Sequence, residues 1–200
     1  MFRNVRFFRL DGDWPESEEA VSQQLERSAF KPCGPLTERS SGWIPVDVDS
    51  SQLLARRVNG ADLIKLRSQS RVLPASAVNE ELEVRIEEYR ERMNEKPSAR
   101  EKRRLKAETR DELLPKSMLK SDRIMGYIDV KEKVLGIDAG QNAAAERFLL
   151  HLRSPFDQVA INPLQFNRPV GELLNKIFFG SAPSQFTVGR ECRMQDAADV

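Results

Sequence analysis

The feature that most constrains this chain is a change of hydrophobic period at Ser76. Val78, Leu82, Ile86, Tyr89 and Met93 recur every three or four residues, which puts one apolar stripe along a helix of about five turns. "NEKPS" ends that helix. Ser98 and Glu101 then have the spacing of a capping box, with the serine capping and the glutamate reaching back, so a second helix starts immediately. The two predict a helical hairpin. On either side of it the chain reads at a period nearer two, so the hairpin is an insertion into a strand-rich body.

That body is legible in pieces. "VRFFRL" predicts a strand over Val5 to Leu10. Asp13 and Pro15 mark a helix start, Glu16, Glu18 and Glu19 favour its positive end, and "KPCGP" stops it near Phe30. "GWIPV" reads as a strand with an edge proline. "ADLIKLRSQSRVLP" reads as a strand, a polar turn and a short strand ended by Pro74, and "LLPKSMLKSD" as an irregular link. "IMGYIDV", the turn "KEK" and "VLGIDA" make a β-hairpin. Ala145, Phe148, Leu149 and Leu152 define a core-facing helix, and "QVAI" a strand. Val170, Leu173, Leu174, Ile177 and Phe178 define a last helix, with Gly180 placed as its C-terminal cap. The expected class is α+β: a mixed, mainly antiparallel sheet body with packed helices and an inserted charged helical hairpin. Its expected organisation is a discontinuous central α+β domain, 1–74 and 124–182, a helical tip with a basic face at 75–123, and the start of a C-terminal region at 183–200.

Two hundred residues with 40% hydrophobic content suffice for a real core. No apolar run approaches the length of a membrane span, and "MFRNVRFFRLDGDW" lacks the pattern of a signal peptide. Cys33 and Cys192 are far apart and form no metal or redox motif, which fits reduced thiols in a cytosolic protein.

The net charge of +1 hides a separation: Lys96 to Arg123 carries ten Lys or Arg against five Asp or Glu. At 100° per residue, Arg100, Arg103, Arg104 and Arg110 fall within about a third of a turn. Leu105, Thr109 and Leu113 lie opposite, with Glu101, Glu108 and Glu112 between and Asp111 inside the basic arc. Such a stripe suits a polyanion, because each Lys or Arg near a phosphate releases counterions and arginine adds a bidentate fork. A solvated helix face that keeps the protein soluble is the other reading. No aromatics interleave the stripe for base stacking, and no zinc-finger, P-loop or RNP1-like pattern is present.

Catalytic candidates are sparse. His151 in "FLLHLR" lies one position off an apolar stripe and reads as a helix-boundary residue. Asp129 and Asp138 sit on the proposed β-hairpin, where two converging carboxylates would suit a metal-dependent nuclease and two turn or edge residues would suit none. Cys33 lies in a Pro-Cys-Gly turn, and Trp43 beside Gly42 reads as a core or interface anchor. The expectation is no enzyme, no cofactor and no metal.

An ordered set of segments resembles the RdgC family of recombination-associated proteins: "FRNVRFFRL", "AFKPCG" then "GWIPV", "RVLPASAVNEELEVRIEE", "LLPKSM", "IDVKEKVLGIDA", "AERFLLHLRS" and "FTVGRECRMQDA". Each is weak alone, but together they span nearly the whole chain in the family's order. The resemblance implies a cytoplasmic, nucleoid-associated, non-catalytic protein that binds double-stranded DNA with little sequence preference. It also implies a ring-shaped homodimer with a basic inner surface and restraint of RecA-dependent recombination. The candidate DNA contacts here are Arg100, Lys102, Arg103, Arg104, Lys106, Arg110, Lys116 and Lys120, and the candidate dimer contacts Leu113, Leu114, Met118 and Leu119. The resemblance further implies that the family's C-terminal third is missing, and with it one of two self-contacts. An open dimer joined near Met118, or a monomer, is then expected in place of a closed ring. Two alternatives stand beside this: a protein-interaction module or degenerate family member without DNA binding, and the metal-dependent nuclease.

Overall fold

The structure, a computed structural model, describes residues 2–47, 52–164, 169–180, 184 and 189. Cys192 and nearly all of the expected C-terminal region at 183–200 lie outside the described residues. By internal contact the chain divides into residues 1–163 and residues 164–200.

In the first unit the strands are β1 (Val5–Asp11), β2 (Arg39–Ile44), β3 (Ala55–Val58), β4 (Ala61–Val72), β5 (Met118–Asp129), β6 (Val134–Asp138) and β7 (Ala160–Pro163). The helices are α1 (Glu18–Glu26), α2 (Ala75–Met93), α3 (Ala99–Leu113) and α4 (Asn142–Arg153). The strands form one seven-stranded sheet in the order β2-β4-β5-β6-β1-β7, with β3 also on β4, and every strand pair described is antiparallel. This is the α+β class expected, with α2 and α3 inserted between the two longest strands.

Four local expectations are corrected. The first helix begins at Glu18, because Ser17 accepts the N–H of Ala20 at 3.2 Å, so Asp13 and Pro15 belong to the lead-in. It ends at Glu26 and not near Phe30, since Trp43 N–H donates to Ser28 O and Phe30 N–H to Trp43 O, drawing this segment alongside β2. The polar turn expected inside "ADLIKLRSQSRVLP" is absent: Ser68, Gln69 and Ser70 pair in unbroken register with Asp122, Ser121 and Lys120. The supposed irregular link after Pro115 is likewise strand from Met118, because the helical hairpin returns the chain directly opposite Val72. The strand β3 has no counterpart in the sequence reading. Its signal was "NG": Asn59 and Gly60 take positive φ, 51° and 83°, as a two-residue hairpin loop requires.

The core lies where α1 and α4 cover one face of the sheet. Val21 and Leu25 from α1 and Phe148, Leu149 and Leu152 from α4 pack on Trp43, Ile64, Leu66, Ile128, Leu135 and Ile137. Trp43 meets the Phe148 ring edge-on, with centroids 5.1 Å apart. A side chain at Gly126 would collide with that ring, so the close approach of α4 to β5 depends on this glycine. Trp43 is therefore a core anchor.

At the N-terminal side of this core Asp62, fully buried, accepts Trp14 Nε1–H at 2.7 Å and two bonds from Arg57 at 2.7 Å each. Arg57 also donates to Pro15 O and Glu16 O. The lead-in to α1 is thereby fixed to the β3–β4 hairpin. In the second unit, α5 (Val170–Phe178) ends as expected, with Gly180 at φ 84° and its N–H on Ile177 O at 3.2 Å.

Candidate nucleic-acid interface

Among the described residues the helical hairpin is two helices deep, so its apolar stripe is only partly covered. Val78 is buried, Leu82, Ile86 and Tyr89 are half-buried, and Met93 is exposed. Polar contacts supply the remaining specificity. The capping box is formed: Glu101 N–H donates to Ser98 Oγ at 3.3 Å, and Ser98 N–H to Glu101 Oε2 at 2.8 Å. Tyr89 Oη donates to Glu101 Oε1 at 2.6 Å, tying the C-terminal part of α2 to the start of α3. The tyrosine hydroxyl first, then the Ser98 hydroxyl and N–H, hold the Glu101 carboxyl down to about 2. Further along, Arg85 grips both oxygens of Glu112 at 3.2 and 2.5 Å, and Lys106 Nζ donates to Asn79 Oδ1 at 3.2 Å. Thr109 is fully buried and returns its hydroxyl to Leu105 O at 2.7 Å.

The outer face of α3 carries the basic residues. Arg100, Arg103 and Arg104 are exposed along one side, with Arg104 paired to Glu108 at 2.8 Å and no ion-pair partner for Arg100 or Arg103 among the described residues. Arg103, Lys106 and Arg110 converge on a groove of about 410 Å³ floored by Leu73, Ala75, Val78 and Ala107. Lys102 is exposed, about 160° around the helix from Arg100 and one turn before Lys106. Lys116 lies in the 3-10 turn Leu114–Lys116, and Lys120 on β5 belongs to the face of the sheet. The structure thus sets Arg100, Arg103 and Arg104 along the exposed side of α3, brings Arg103, Lys106 and Arg110 together at the groove, puts Lys102 one turn before Lys106, and leaves Lys116 and Lys120 off the helix.

The base of the hairpin is held by Arg71, which the sequence reading did not single out. Its guanidinium donates to Gly34 O at 3.3 and 3.0 Å, Leu114 O at 3.1 Å, Pro115 O at 3.2 Å and Ser117 O at 3.4 Å. The last three lie where α3 unwinds into β5, and Leu114 O there also accepts Ser117 N–H at 3.1 Å and Ser117 Oγ–H at 2.7 Å. Glu38, also unforeseen, accepts Arg110 Nε at 3.1 Å and Nη2 at 2.6 Å.

Of the candidate self-contact residues, Leu114 is buried at 4% exposure and Leu113 is half-buried. Met118 is 80% exposed and lies opposite Val72, itself exposed, while Leu119 points to the other face opposite Arg71. The four do not share one surface.

Asp129 ends β5 opposite Val134, the first residue of β6, and Asp138 ends β6 four residues further on, about 13 Å away along the strand. Each caps backbone: Asp129 Oδ1 accepts from Lys131 and Glu132 at 3.0 and 2.9 Å, and Asp138 Oδ1 from Arg3 and Asn4 at 3.0 Å each. The N–H of Asn4, with that of Arg3, holds the Asp138 carboxyl below its ordinary value. His151 is half-buried, with Nδ1 2.9 Å from Arg147 O, and Cys33 N–H donates to Gln69 Oε1 at 2.9 Å. Among the described residues no group of three or more His, Cys, Asp or Glu is placed to hold a metal ion. No helix among them is long and apolar enough to cross a membrane.

The family model described as "Putative exonuclease, RdgC" matches residues 1–200. The chain is similar to the "Recombination-associated protein RdgC" of Stenotrophomonas maltophilia (strain R551-3), at 30% identity over 99% of this chain and 66% of that protein. It is similar to the protein of the same name from Sodalis glossinidius (strain morsitans), at 29% over 97% of this chain and 64% of that one. With that of Xylella fastidiosa (strain M12) it shares 28% over 99% and 66%. The chain spans just under two thirds of the length of these relatives.

Proposed function

The chain belongs to the RdgC family, and from that premise we propose that it binds double-stranded DNA through its phosphates, without reading base sequence, as a non-catalytic protein of recombination. The observation that carries this reading is the sorted outer face of α3. Arg100, Arg103 and Arg104 project from one side of a helix whose opposite side is packed, and neither Arg100 nor Arg103 has an ion-pair partner among the described residues. Backbone phosphates are the ligand such a face suits, because it offers forked donors and no arrangement aimed at base edges. In the cell, this reading places the chain in the cytoplasm on the nucleoid, restraining RecA-dependent recombination.

The description of the family model contains the word exonuclease. Metal-assisted hydrolysis needs carboxylates that converge, and the two candidates on β5 and β6 are about 13 Å apart and engaged as backbone caps. A binding role is therefore preferred to a catalytic one. Self-association through the exposed end of the β4–β5 ribbon is the second element of the proposal, supported by Met118 and Val72 facing solvent together.

The deciding experiment is a salt titration of affinity for unrelated duplexes. Four phosphates neutralised per protomer give a log–log slope of about −3.6, at −0.9 per phosphate, with the same affinity for each sequence. A slope near zero with retained partner binding would instead favour a protein-interaction module.

A further inference from the structure

The face of the sheet that forms the core does not stop where α4 stops covering it. Across β2, β4 and β5 the paired residues on this face form successive rows. Trp43, Leu66 and Ile124 make an apolar row under Phe148. The next row is Ser41, Ser68 and Asp122, and the next Arg39, Ser70 and Lys120. Within three rows the same surface passes from closed core to hydroxyls to cations.

These rows floor an open depression of about 380 Å³, and Arg147, next to the core residue Phe148 on α4, overhangs it. Ser41 and Ser68 join hydroxyls at 3.1 Å. Arg39, Lys120 and Arg147 have no ion-pair partner among the described residues. Among the described residues Asp122 supplies the one carboxylate, so these four side chains carry a charge of +2. Strands stand about 4.8 Å apart, so Arg39 and Lys120 rise from points roughly 10 Å apart on either side of Ser70. Two long cationic side chains at that separation can close on one tetrahedral oxyanion, with serine hydroxyls beneath it and a guanidinium above. Among the described residues no apolar side chain lines the depression to favour an uncharged ligand.

We propose that this depression, formed by Arg39, Lys120 and Arg147 over Ser41, Ser68 and Ser70, is a phosphate seat separate from the basic face of α3. The shared chemistry is a phosphate group held by forked and point-charge donors, as arginine and lysine respectively supply. Its source is either a backbone phosphate of duplex DNA or a free phosphate species. Only the first depends on the DNA-binding reading above.

The test uses the full chain and begins with inorganic phosphate, titrated at constant ionic strength while backbone amide resonances are followed. Saturable shifts centred on Ser41, Ser68 and Ser70 are expected. The Arg39→Ala/Arg147→Ala variant, with an unchanged circular dichroism spectrum, should lose at least about tenfold in affinity, and Asp122→Asn should gain. Shifts that never saturate, or equal affinity in the double variant, overturn the seat. A second arm measures binding of a short duplex against salt. If the seat takes a backbone phosphate, the double variant lowers the magnitude of the slope by about 0.9. If the slope is unchanged while phosphate binding is lost, the seat stands and its ligand is a free phosphate species. Absence of duplex binding by the unaltered chain defeats the proposed function alone, because the phosphate titration decides the seat independently.

Discussion

Arg110, near the end of α3, turns across the base of the helical hairpin and holds a single oxygen of Glu38, from Nε at 3.1 Å and from Nη2 at 2.6 Å. The contact joins residues 72 positions apart and ties the hairpin to the segment that leads into β2. It also neutralises one end of the basic face, so the arginine most firmly placed by the fold is the one least available to an anion.

Glu38→Gln should therefore strengthen duplex binding. The amide keeps the shape of the carboxylate and releases the charge of Arg110, so the magnitude of the salt slope should grow by up to about 0.9. Both side chains are about half exposed, and loss of the pair should cost at most about 1 kcal/mol of stability. Weaker binding by this variant at unchanged stability would contradict a role for Arg110 in anion contact.

Replacing Arg100, Arg103 and Arg104 together with glutamate should weaken duplex binding equally for every sequence. These side chains are exposed, so the thermal midpoint should move little. Gel-shift affinity and circular dichroism measured on the same preparations check both halves. Unaltered affinity with an unaltered spectrum would move the DNA contacts elsewhere.

The sequence made the hairpin legible because its signals are local. The Ser98–Glu101 spacing, the stripe from Val78 to Met93 and the sorted arginines all act within a few residues along the chain, and all three appear in α2 and α3. What was not legible depends on cross-strand pairing. "RSQSRV" has the polarity of a turn, yet it is strand because Asp122, Ser121 and Lys120 return opposite it. Arg39 and Arg147, distant in sequence, meet only because β2 pairs with β4 and α4 lies across that face. The alternation Arg39, Ser41, Trp43 already places Arg39 on the core face of its strand. It says nothing of where the core ends.

The hairpin should loosen in acid before the sheet does. The Glu101 carboxyl is held at about 2 against an ordinary 4.5, first by the Tyr89 hydroxyl and then by Ser98. A depressed folded-state value means that its stabilisation is complete above about pH 4.5 and declines as pH falls towards about 2. Protection of the amides at residues 98–101, relative to the intrinsic exchange rate at each pH, should fall over this window while that of β6 holds. Tyr89→Phe removes the largest cause, so the folded-state value should rise towards 4.5, and the acid-dependent loss should become smaller and be complete at higher pH. Protection at 98–101 that stays constant as pH falls from 4.5 to about 2 would contradict this.

If self-association runs through the end of the β4–β5 ribbon, Met118→Asp should weaken it. Met118 is 80% exposed, so the charge should leave folding intact while opposing burial at a contact. Light scattering across a concentration series should show the unaltered chain gaining mass and the variant lagging. Identical behaviour of the two chains would exclude Met118 from the contact.

Arg71 offers the sharpest test of what aims the hairpin. Its Nε and Nη2 donate to Gly34 O and its Nη1 is shared among the carbonyls of Leu114, Pro115 and Ser117, from 3.0 to 3.4 Å, the last three at the point where α3 gives way to β5. Arg71→Met preserves much of the side-chain volume and removes every donor, which should cost about 1–3 kcal/mol because the part-buried carbonyls of Gly34 and Ser117 lose this donor. Lysine has one point of charge and no planar fork, so Arg71→Lys should recover only part of that loss. The damage should be local. Exchange at Ser117 to Lys120 should rise well before exchange in β6, and duplex affinity should fall although Arg71 lies off the exposed basic face of α3. A methionine variant with the original thermal midpoint and original exchange at Ser117 would show that the turn is held by its own backbone, and that Arg71 only decorates it.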